Sequence, residues 1–550
     1  MSNYNGIGYF STFARRMMYM TLRFFKNRWL VKLASILLVM TSCQSGEGPS
    51  SQLNELADTS VKVTEQRPNG ITSFQVLVDS TVLWEFKDSI YPNWTEYEVP
   101  RDGELKSILT FRGGFQRGTP TIGTFGGHPD TINVAWQFST AVDTLKGRYG
   151  YWGGGAGWTG QPLLVHWTTT ECAALSGLYE EFQGRKKDLL ELIQVSLSGR
   201  VYFIDLESGR ETRPPILISN PIKGTPSIDP AKRYLMVGQG IPHRNGFHLR
   251  CFDLRNGELL MKEVIPSAFA YRKWGASDAS PLFTEDGRFI WPTESGVVYF
   301  GEINATTPSA LYQARYKFRN YSKLGTESSP AAIGNLMYFT DNGGGVVCVD
   351  FRTMQPRWNY QSGDDMDATP VVDIERSVPY VYVGNEVDKQ GTHGMSTFTK
   401  LNGLTGEVVW TATKACNSSF GERPNNGGIL STACIGTGNL SSYVWTVFSK
   451  VDSSHSGRLV CYNKSNGSIH YEVPLSSYTW VSPLLIRDRS GNGYIYLSDV
   501  GGNVYVIEAR TGNVVTKKNF GVTFESSPIA WNNRIVQPAR GSRVFCFELQ

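Results

Sequence analysis

Oxygen donors at alternate positions, with a glycine for the sharp bend, are what a calcium ion asks of a loop. Asp488-Arg489-Ser490-Gly491-Asn492-Gly493, with Asp499 in the twelfth place, approaches that spacing and makes Asp488, Ser490, Asn492 and Asp499 candidate metal ligands. Ser stands at the third position and Asp, not Glu, at the twelfth. The stretch also reads as an ordinary polar hairpin between two strands, which is the plainer interpretation. A second set of donors is spread along the chain. Asp278, Glu327, Asp367 and Glu525 each stand just before a short apolar run that begins with Ser or Thr and Pro. If those runs come together, the four acids meet and could hold a cation or a basic peptide. Solvated acids at strand ends are the bland alternative. A third candidate is Tyr151-Trp152-Gly153-Gly154-Gly155-Ala156-Gly157-Trp158-Thr159-Gly160. Glycines let a backbone approach a ligand closely, and Trp152 and Trp158 could stack on a sugar or a flat ring. A glycine-rich connection packed over a seam would look the same. The 7 histidines are too dispersed for a metal triad.

What positions these residues is a repeat. The phrase recurs eight times, around Pro162, Pro226, Pro281, Pro330, Pro370, Ser431, Pro483 and Pro528, and six copies put Ser or Thr next to the Pro. The spacing, roughly 40 to 65 residues, is that of propeller blades. In the fourth copy Ser329 to Gly334 is an inner strand and Leu336 to Thr340 a second. Asp341 to Gly345 is a glycine-rich hairpin, Val346 to Phe351 a third strand, and Pro356 to Tyr360 the outer one. An acid or amide followed four residues later by Gly closes the third strand of several copies: Asp205/Gly209, Asp253/Gly257, Asn402/Gly406, Asn463/Gly467 and Glu508/Gly512. That pair suits an Asx-turn with Gly in the left-handed position. Trp358 and Trp410 follow eight residues after the acid or amide, where a large flat side chain suits packing between blades. The last copy has room for only three strands. Asn133 to Ser139, with Trp136 in the place of Trp358, supplies the fourth, so an N-terminal strand is expected to close the ring and remove its free edges. The fold class is therefore all-β: an eight-bladed propeller of four-stranded antiparallel blades over residues 131–550. Residues 66–130 form an N-terminal β extension, containing Thr81 to Phe86 as a strand and a degenerate ninth phrase at Gly118 to Thr121. Glu180 to Ile193 reads as a helical insertion in the first blade.

The first 65 residues concern location. Arg15 to Lys32 is basic, Leu33 to Met40 is apolar but too short to span a bilayer, and Met40-Thr41-Ser42-Cys43 follows. This resembles a bacterial lipoprotein signal ending on a lipobox, which implies cleavage after residue 42, lipidation of Cys43 and a Ser/Gly-rich tether over 43–65. Initiation at Met20 would give a signal of more usual length. Such a chain is expected in the cell envelope of a Gram-negative bacterium, on the outer membrane. The formal net charge of +4 is scattered and leaves no nucleic-acid footprint. Of the other cysteines, Cys251, Cys348, Cys461 and Cys546 occupy one point of four blades and read as small buried hydrophobes. Only Cys416 and Cys434, which flank one loop, suggest a disulfide.

Gly501-Gly502-Asn503-Val504-Tyr505-Val506-Ile507-Glu508-Ala509-Arg510-Thr511-Gly512 and Leu401-Asn402-Gly403-Leu404-Thr405-Gly406-Glu407-Val408-Val409-Trp410 resemble the blades of the quinoprotein dehydrogenase superfamily. The resemblance covers roughly residues 131–550 and has two branches. One is enzymatic and implies pyrroloquinoline quinone (PQQ) and calcium, with adjacent cysteines at the cofactor in its alcohol-oxidising members; this chain has no adjacent cysteines. The other is non-catalytic, typified by the lipoprotein of the outer-membrane β-barrel assembly machinery, and implies a monomeric propeller that binds envelope proteins, with no cofactor. The signal and the blades favour the second. A PQQ-dependent dehydrogenase and a glycan-binding surface lipoprotein are the alternatives.

Overall fold

The structure is a computed structural model that describes residues 82–87, 94, 98–147, 150–157, 160–303, 310–318, 321–420 and 425–550. Residues 66–419 and 426–550 make one compact unit. The other, residues 1–65 with 420–425, has only Phe420 and Asn425 among the described residues, so Cys43 and its flanks lie outside them. No helix among the described residues is long and apolar enough to cross a membrane.

Eight antiparallel sheets follow one another along the chain: blade 1 (residues 163–217), blade 2 (227–265), blade 3 (282–318), blade 4 (331–361), blade 5 (371–417), blade 6 (427–474), blade 7 (484–519) and blade 8 (529–549). Second and third strands are largely covered on both faces and mostly apolar, as in Leu336–Thr340, where every residue is buried. Outer strands alternate instead; Val408–Asn417 buries Trp410 and Cys416 and exposes residues between them. Blade 8 lacks an outer strand of its own. Ile132–Ser139 fills the place, pairing antiparallel with Arg543–Leu549 and setting Trp136 opposite Cys546.

Adjacent blades are joined by one repeated contact. The Trp136, Trp358 and Trp410 indoles donate Nε1–H to the carbonyls of Leu206, Gly403 and Lys464, in the turn that closes the third strand of the next blade. Tyr471 does the same through its hydroxyl to Ala509. The ring lies over the turn glycine: a Cβ on Gly406 would stand 2.7 Å from the Trp358 ring, and Gly406 has φ +76°. Glycine is needed there for both the angle and the space. Cys251, Cys348, Cys461 and Cys546 lie in third strands directly opposite Met261, Trp358, Tyr471 and Trp136, each fully buried.

Two expectations are corrected. Glu180 to Ile193 is not a helix. A single 3-10 turn spans Glu180–Phe182, and Leu189–Val195 is the second strand of blade 1. Its leucines are crowded because both faces of that strand are buried, and crowding removes the alternation that marks a strand. Cys416 and Cys434 are free thiols. They belong to neighbouring blades, on the outer strand of blade 5 and an inner strand of blade 6.

The segment before the closing strand has two jobs. Val82–Phe86 adds a fifth strand to the outer edge of blade 3. Residues 98–127 then run across one end of the ring, bonding to inner strands by turns. Ile108 exchanges hydrogen bonds with Leu164, Leu109 accepts from Ile228, Phe115 from Ala332, Gln116 from Val372 and Pro120 from Ala530. Thr121–Ile122 pairs in parallel with Ile529–Trp531. The degenerate phrase at Gly118 to Thr121 thus lies against blade 8 and starts no ninth blade. From this segment Arg112 and Arg117, both wholly buried, reach into the channel. Arg112 donates to the carbonyls of Pro483 and Gly118 (2.9 Å each) and Ala433 (3.4 Å), and Arg117 to that of Pro330 (2.8 Å). One end of the ring is closed by its own chain.

Candidate functional site

The other end is built from two kinds of loop. One leads into each inner strand; the other is the hairpin between the second and third strands of each blade. Along blades 2 to 5 these loops carry acids. Asp278 and Glu327 stand before the inner strands of blades 3 and 4, and Asp365 and Asp367 before that of blade 5. Glu294 lies in the blade 3 hairpin and Glu386 follows the second strand of blade 5. Asp278, Glu294 and Glu386 are almost completely buried, with 1%, 2% and 0% exposure. Asp278, Glu294 and Glu327 each place a carboxylate oxygen within 4.8 Å of the other two.

The basic groups are fewer. Lys223, ahead of the blade 2 inner strand, forms a buried ion pair with Asp278. Burial alone would lower the pKa of its ammonium; Asp278, Glu327 and Glu294 outweigh that and raise it. Arg272 lies 3.9 Å from Glu294. Asn426 donates to Glu386 Oε2 at 2.7 Å. Lys450, in the blade 6 hairpin, sits 5.1 Å over the Tyr478 ring; burial lowers its pKa to about 8 against the pull of Glu386.

These groups do not balance. Glu294 Oε1, Asp365 Oδ1 and Glu386 Oε1 are buried and meet no N–H or hydroxyl donor. Burial first, and then the neighbouring carboxylates, push Glu294, Asp365, Asp367 and Glu386 well above the usual carboxylate range. Asp278 rises to about 6 through burial, against Lys223. The charges of Asp365 and Asp388 add to the effect of burial on Glu386, while hydrogen bonds with Asn426 and Asp367 work against it.

Of the four acids singled out in the sequence, the structure brings Asp278, Glu327 and Asp367 together and leaves Glu525 apart, 3.7 Å from Arg540. They are buried or half-buried, not solvated strand ends. Glu294, Asp365 and Glu386 were missed. The signal was available in the repeat: each blade has a hairpin after its second strand, and Glu294 and Glu386 occupy it.

The other candidates separate. Asp488 bonds the backbone and side chain of Asn492 (2.9 and 2.8 Å) and closes a hairpin, while Ser490 is exposed. Asp499 lies beyond the strand Gly493–Ser498, about 20 Å of extended chain away, where it accepts from Asn503 and Tyr505. The twelve-residue spacing spans a strand, so the candidate ligands do not share one loop, and the stretch Asp488 to Gly493 is the hairpin that was the plainer interpretation. Trp152 is 4% exposed, and the glycines after it thread between blades 8 and 1, with Gly155 bridging Arg540 and its carbonyl accepting from Leu197. Trp158 lies outside the described residues. Beside this seam is a groove of about 230 Å³ where Arg244 is held in a two-point ion pair by Asp143 (2.7 and 2.9 Å).

No protein-family model matches the sequence, and no curated protein matches it. Among solved structures, the chain is similar to the quinohemoprotein alcohol dehydrogenase ADHIIG of Pseudomonas putida HK5, with 11% identity, a TM-score of 0.54 and 82% of each chain covered. What the two share is the β-propeller fold. BamB from Moraxella catarrhalis (16% identity, TM-score 0.46, covering 76% of this chain and 98% of that one) and a europium-containing methanol dehydrogenase (11%, 0.40, 80% and 98%) also match. At these identities the likeness is one of fold alone, because one fold hosts many functions.

PQQ, the cofactor of the enzymatic branch, can be tested against the acidic end of this propeller. The quinone carries three carboxylates and needs cationic partners. This end offers it carboxylates, four of them with an oxygen that lacks a hydrogen-bond donor, while Lys223 is engaged by Asp278. Without a bound cation the residues present do not fit that group. Asp278, Glu294 and Glu327 do have the oxygen chemistry of a hard cation site, and Lys223 already places a cation among them.

Proposed function

We propose that this chain is a non-enzymatic binding propeller of the cell envelope, anchored through Cys43, and that it holds a protein partner at the acidic end of its ring. The observation that carries the reading is the asymmetry of the two ends. One is sealed by residues 98–127 with two buried arginines; the other presents buried carboxylates in excess of their cations. An end built this way is suited to receiving positive charge. The signal-like N-terminus and lipobox support a location at a membrane surface, on the outer membrane of the envelope, where a protein partner would be available. Assembly of outer-membrane barrel proteins is the role to test first.

The experiment is capture from detergent-solubilised envelope membranes by the mature lipidated protein, with a parallel sample incubated with PQQ and calcium. Recovery of one or a few envelope proteins, with no bound-quinone absorbance and no dye reduction, is the expected result. A stoichiometric quinone spectrum with dye reduction would replace this reading by the dehydrogenase one.

A further inference from the structure

Each outer strand is an edge on which another strand could pair, and the molecule blunts most of these edges. In blades 2, 4, 6, 7 and 8 a bulge interrupts the pairing near the start of the outer strand. Only residues 261–265, 358–361, 471–474, 516–519 and 136–139 then remain in regular register. Blade 1 has two such interruptions and carries Pro214 and Pro215 in its outer strand. Bulges, short runs and prolines are the devices that keep other chains off a sheet. Two blades lack them. In blade 3 Ala310–Phe318 pairs without a break, and the chain covers it with its own fifth strand, Val82–Phe86. In blade 5 a bulge at Val409 is followed by an unbroken run, residues 410–417, and no strand among the described residues covers it.

The backbone groups of that bare run can be assigned to sides. Thr413 stands opposite Thr397. Thr397 donates its N–H to Asn385 Oδ1 (2.6 Å), and its carbonyl accepts from the Asn385 N–H (3.1 Å), both on the side away from Thr413. The Asn417 N–H donates to the carbonyl of Lys450 in blade 6 (2.9 Å) and not to its own partner strand. Backbone groups alternate sides along a strand, so the N–H and C=O groups of Thr411, Thr413 and Ala415 point out of the blade. Their side chains are exposed, and Met395, opposite Ala415, is 46% exposed. The run holds one charge, Lys414, which Glu472 of blade 6 neutralises at 2.8 Å. An incoming strand therefore meets no proline and no unpaired charge.

Building on the reading that the chain holds a protein partner, we propose that blade 5 takes a fifth strand from that partner: an extended, uncharged segment, β-branched at alternate positions, paired antiparallel with Thr411 to Ala415. Val82–Phe86 performs the same operation within the chain, antiparallel and on the other unbroken outer edge. The lack of free charge on the blade 5 edge favours an uncharged strand, because a charged one finds no opposite charge across from it. A second copy of this chain does not suffice as the occupant. Pairing from Thr411 to Ala415 spans about 14 Å of strand at a sheet thickness of about 10 Å, on the order of 150 Å² a side. A stable interface buries about 800 Å² per partner. A segment of a protein already held elsewhere on the propeller needs only the local bonds, since its pairing is then intramolecular.

Hydrogen–deuterium exchange tests this on the mature lipidated protein, alone and in the complex captured from detergent-solubilised envelope membranes. In the free protein the amides of Thr411, Thr413 and Ala415 should exchange as exposed chain does. In the complex they should slow by about tenfold or more, while the outer strand of blade 7 does not change. Thr413→Pro removes one outward donor and no bond within the blade, so it should melt with wild type and recover about tenfold less partner. Thr413→Val keeps the donor and should capture as wild type does. The exchange arm does not depend on the variant's folding. Unchanged exchange over residues 410–417 in the complex, or full recovery with Thr413→Pro, would overturn the inference. Protection already present in the free protein would assign the edge to the chain itself, and protection that grows with protein concentration alone would assign it to a second copy; either result also overturns it. The two levels fail differently. An envelope protein captured without protection of residues 410–417 keeps the binding reading and removes the added strand. No capture by wild type removes both.

Discussion

Arg112 gives the sharpest test of how the ring is sealed. Its side chain is wholly buried, has no carboxylate beside it, and spends its donors on three carbonyls: Pro483 of blade 7, Ala433 of blade 6 and Gly118 of the sealing segment. Burial lowers its pKa, so the charge is held at a cost that those carbonyls offset. Arg112→Ala leaves three buried acceptors without a charged donor. Hydrogen bonds to charged groups are worth about 1.5–3 kcal/mol each, and the gain from no longer burying a charge subtracts from their sum, so a net loss of about 3–5 kcal/mol is expected. With about 2.1 cal/mol/K per residue over roughly 420 residues of propeller, that is a fall in Tm of about 3–6 °C if the ring melts as a unit. Arg112 also has φ +60°, so Arg112→Gly relieves backbone strain and should lose slightly less than Arg112→Ala. Differential scanning calorimetry reads the shift, and limited trypsinolysis reads whether residues 98–127 loosen. A Tm change below about 1 °C, with Arg112→Ala no more protease-sensitive than wild type, would refute the argument that this side chain ties the segment to blades 6 and 7.

Four further outcomes follow from the same geometry. Trp358→Ala removes a 4% exposed indole and its bond to Gly403, and should lower stability by about 3–5 kcal/mol in urea unfolding; Gly406→Ala, which forces a Cβ into the same ring at φ +76°, should also destabilise. Deleting residues 82–139 should yield aggregating protein by light scattering, because the edge of blade 8 and the channel end are both uncovered. Asp341 is fully buried and its pKa is raised to about 6 by burial, partly offset by hydrogen bonds from Gly345, Gly343 and Tyr316. The folded state therefore binds the proton more tightly than the unfolded one: its stabilisation is complete below about pH 4 and is lost as pH rises through about 6, a change of about 3 kcal/mol that Asp341→Asn should flatten in a pH series of melts. All seven cysteines after Cys43 are buried free thiols, so Ellman's reagent should find none of them in the native fold and all of them in guanidinium.

The blades were legible because each carries its own punctuation. The Ser/Thr-Pro phrase, the Asx-Gly turn and the aromatic residue of the outer strand recur in step, and Trp136 could be matched to Trp358 although some 400 residues separate it from the strand it completes. Leu189–Val195 misled because burial on both faces erases the alternation by which a strand is recognised. Residues 98–127 were opaque for a different reason. They form almost no regular structure, and their order comes from single backbone bonds to inner strands that are distant in sequence. The acidic mouth lay between these extremes. Asp278, Glu327 and Asp367 could be grouped from the repeat, because one position in each blade faces one end of the channel. Glu294, Asp365 and Glu386 needed the second register, that of the hairpins and connecting loops. That they are buried without donors is a property of the packing, which a linear pattern does not carry.

The most direct test of the central claim is site-specific photocrosslinking in envelope membranes. A photoreactive residue at Lys389, beside the acidic mouth, is compared with one at Glu104, on the segment that seals the opposite end. The account predicts a discrete adduct with an envelope protein from position 389 and none from position 104. Adducts confined to position 104, or none from either position, would contradict it.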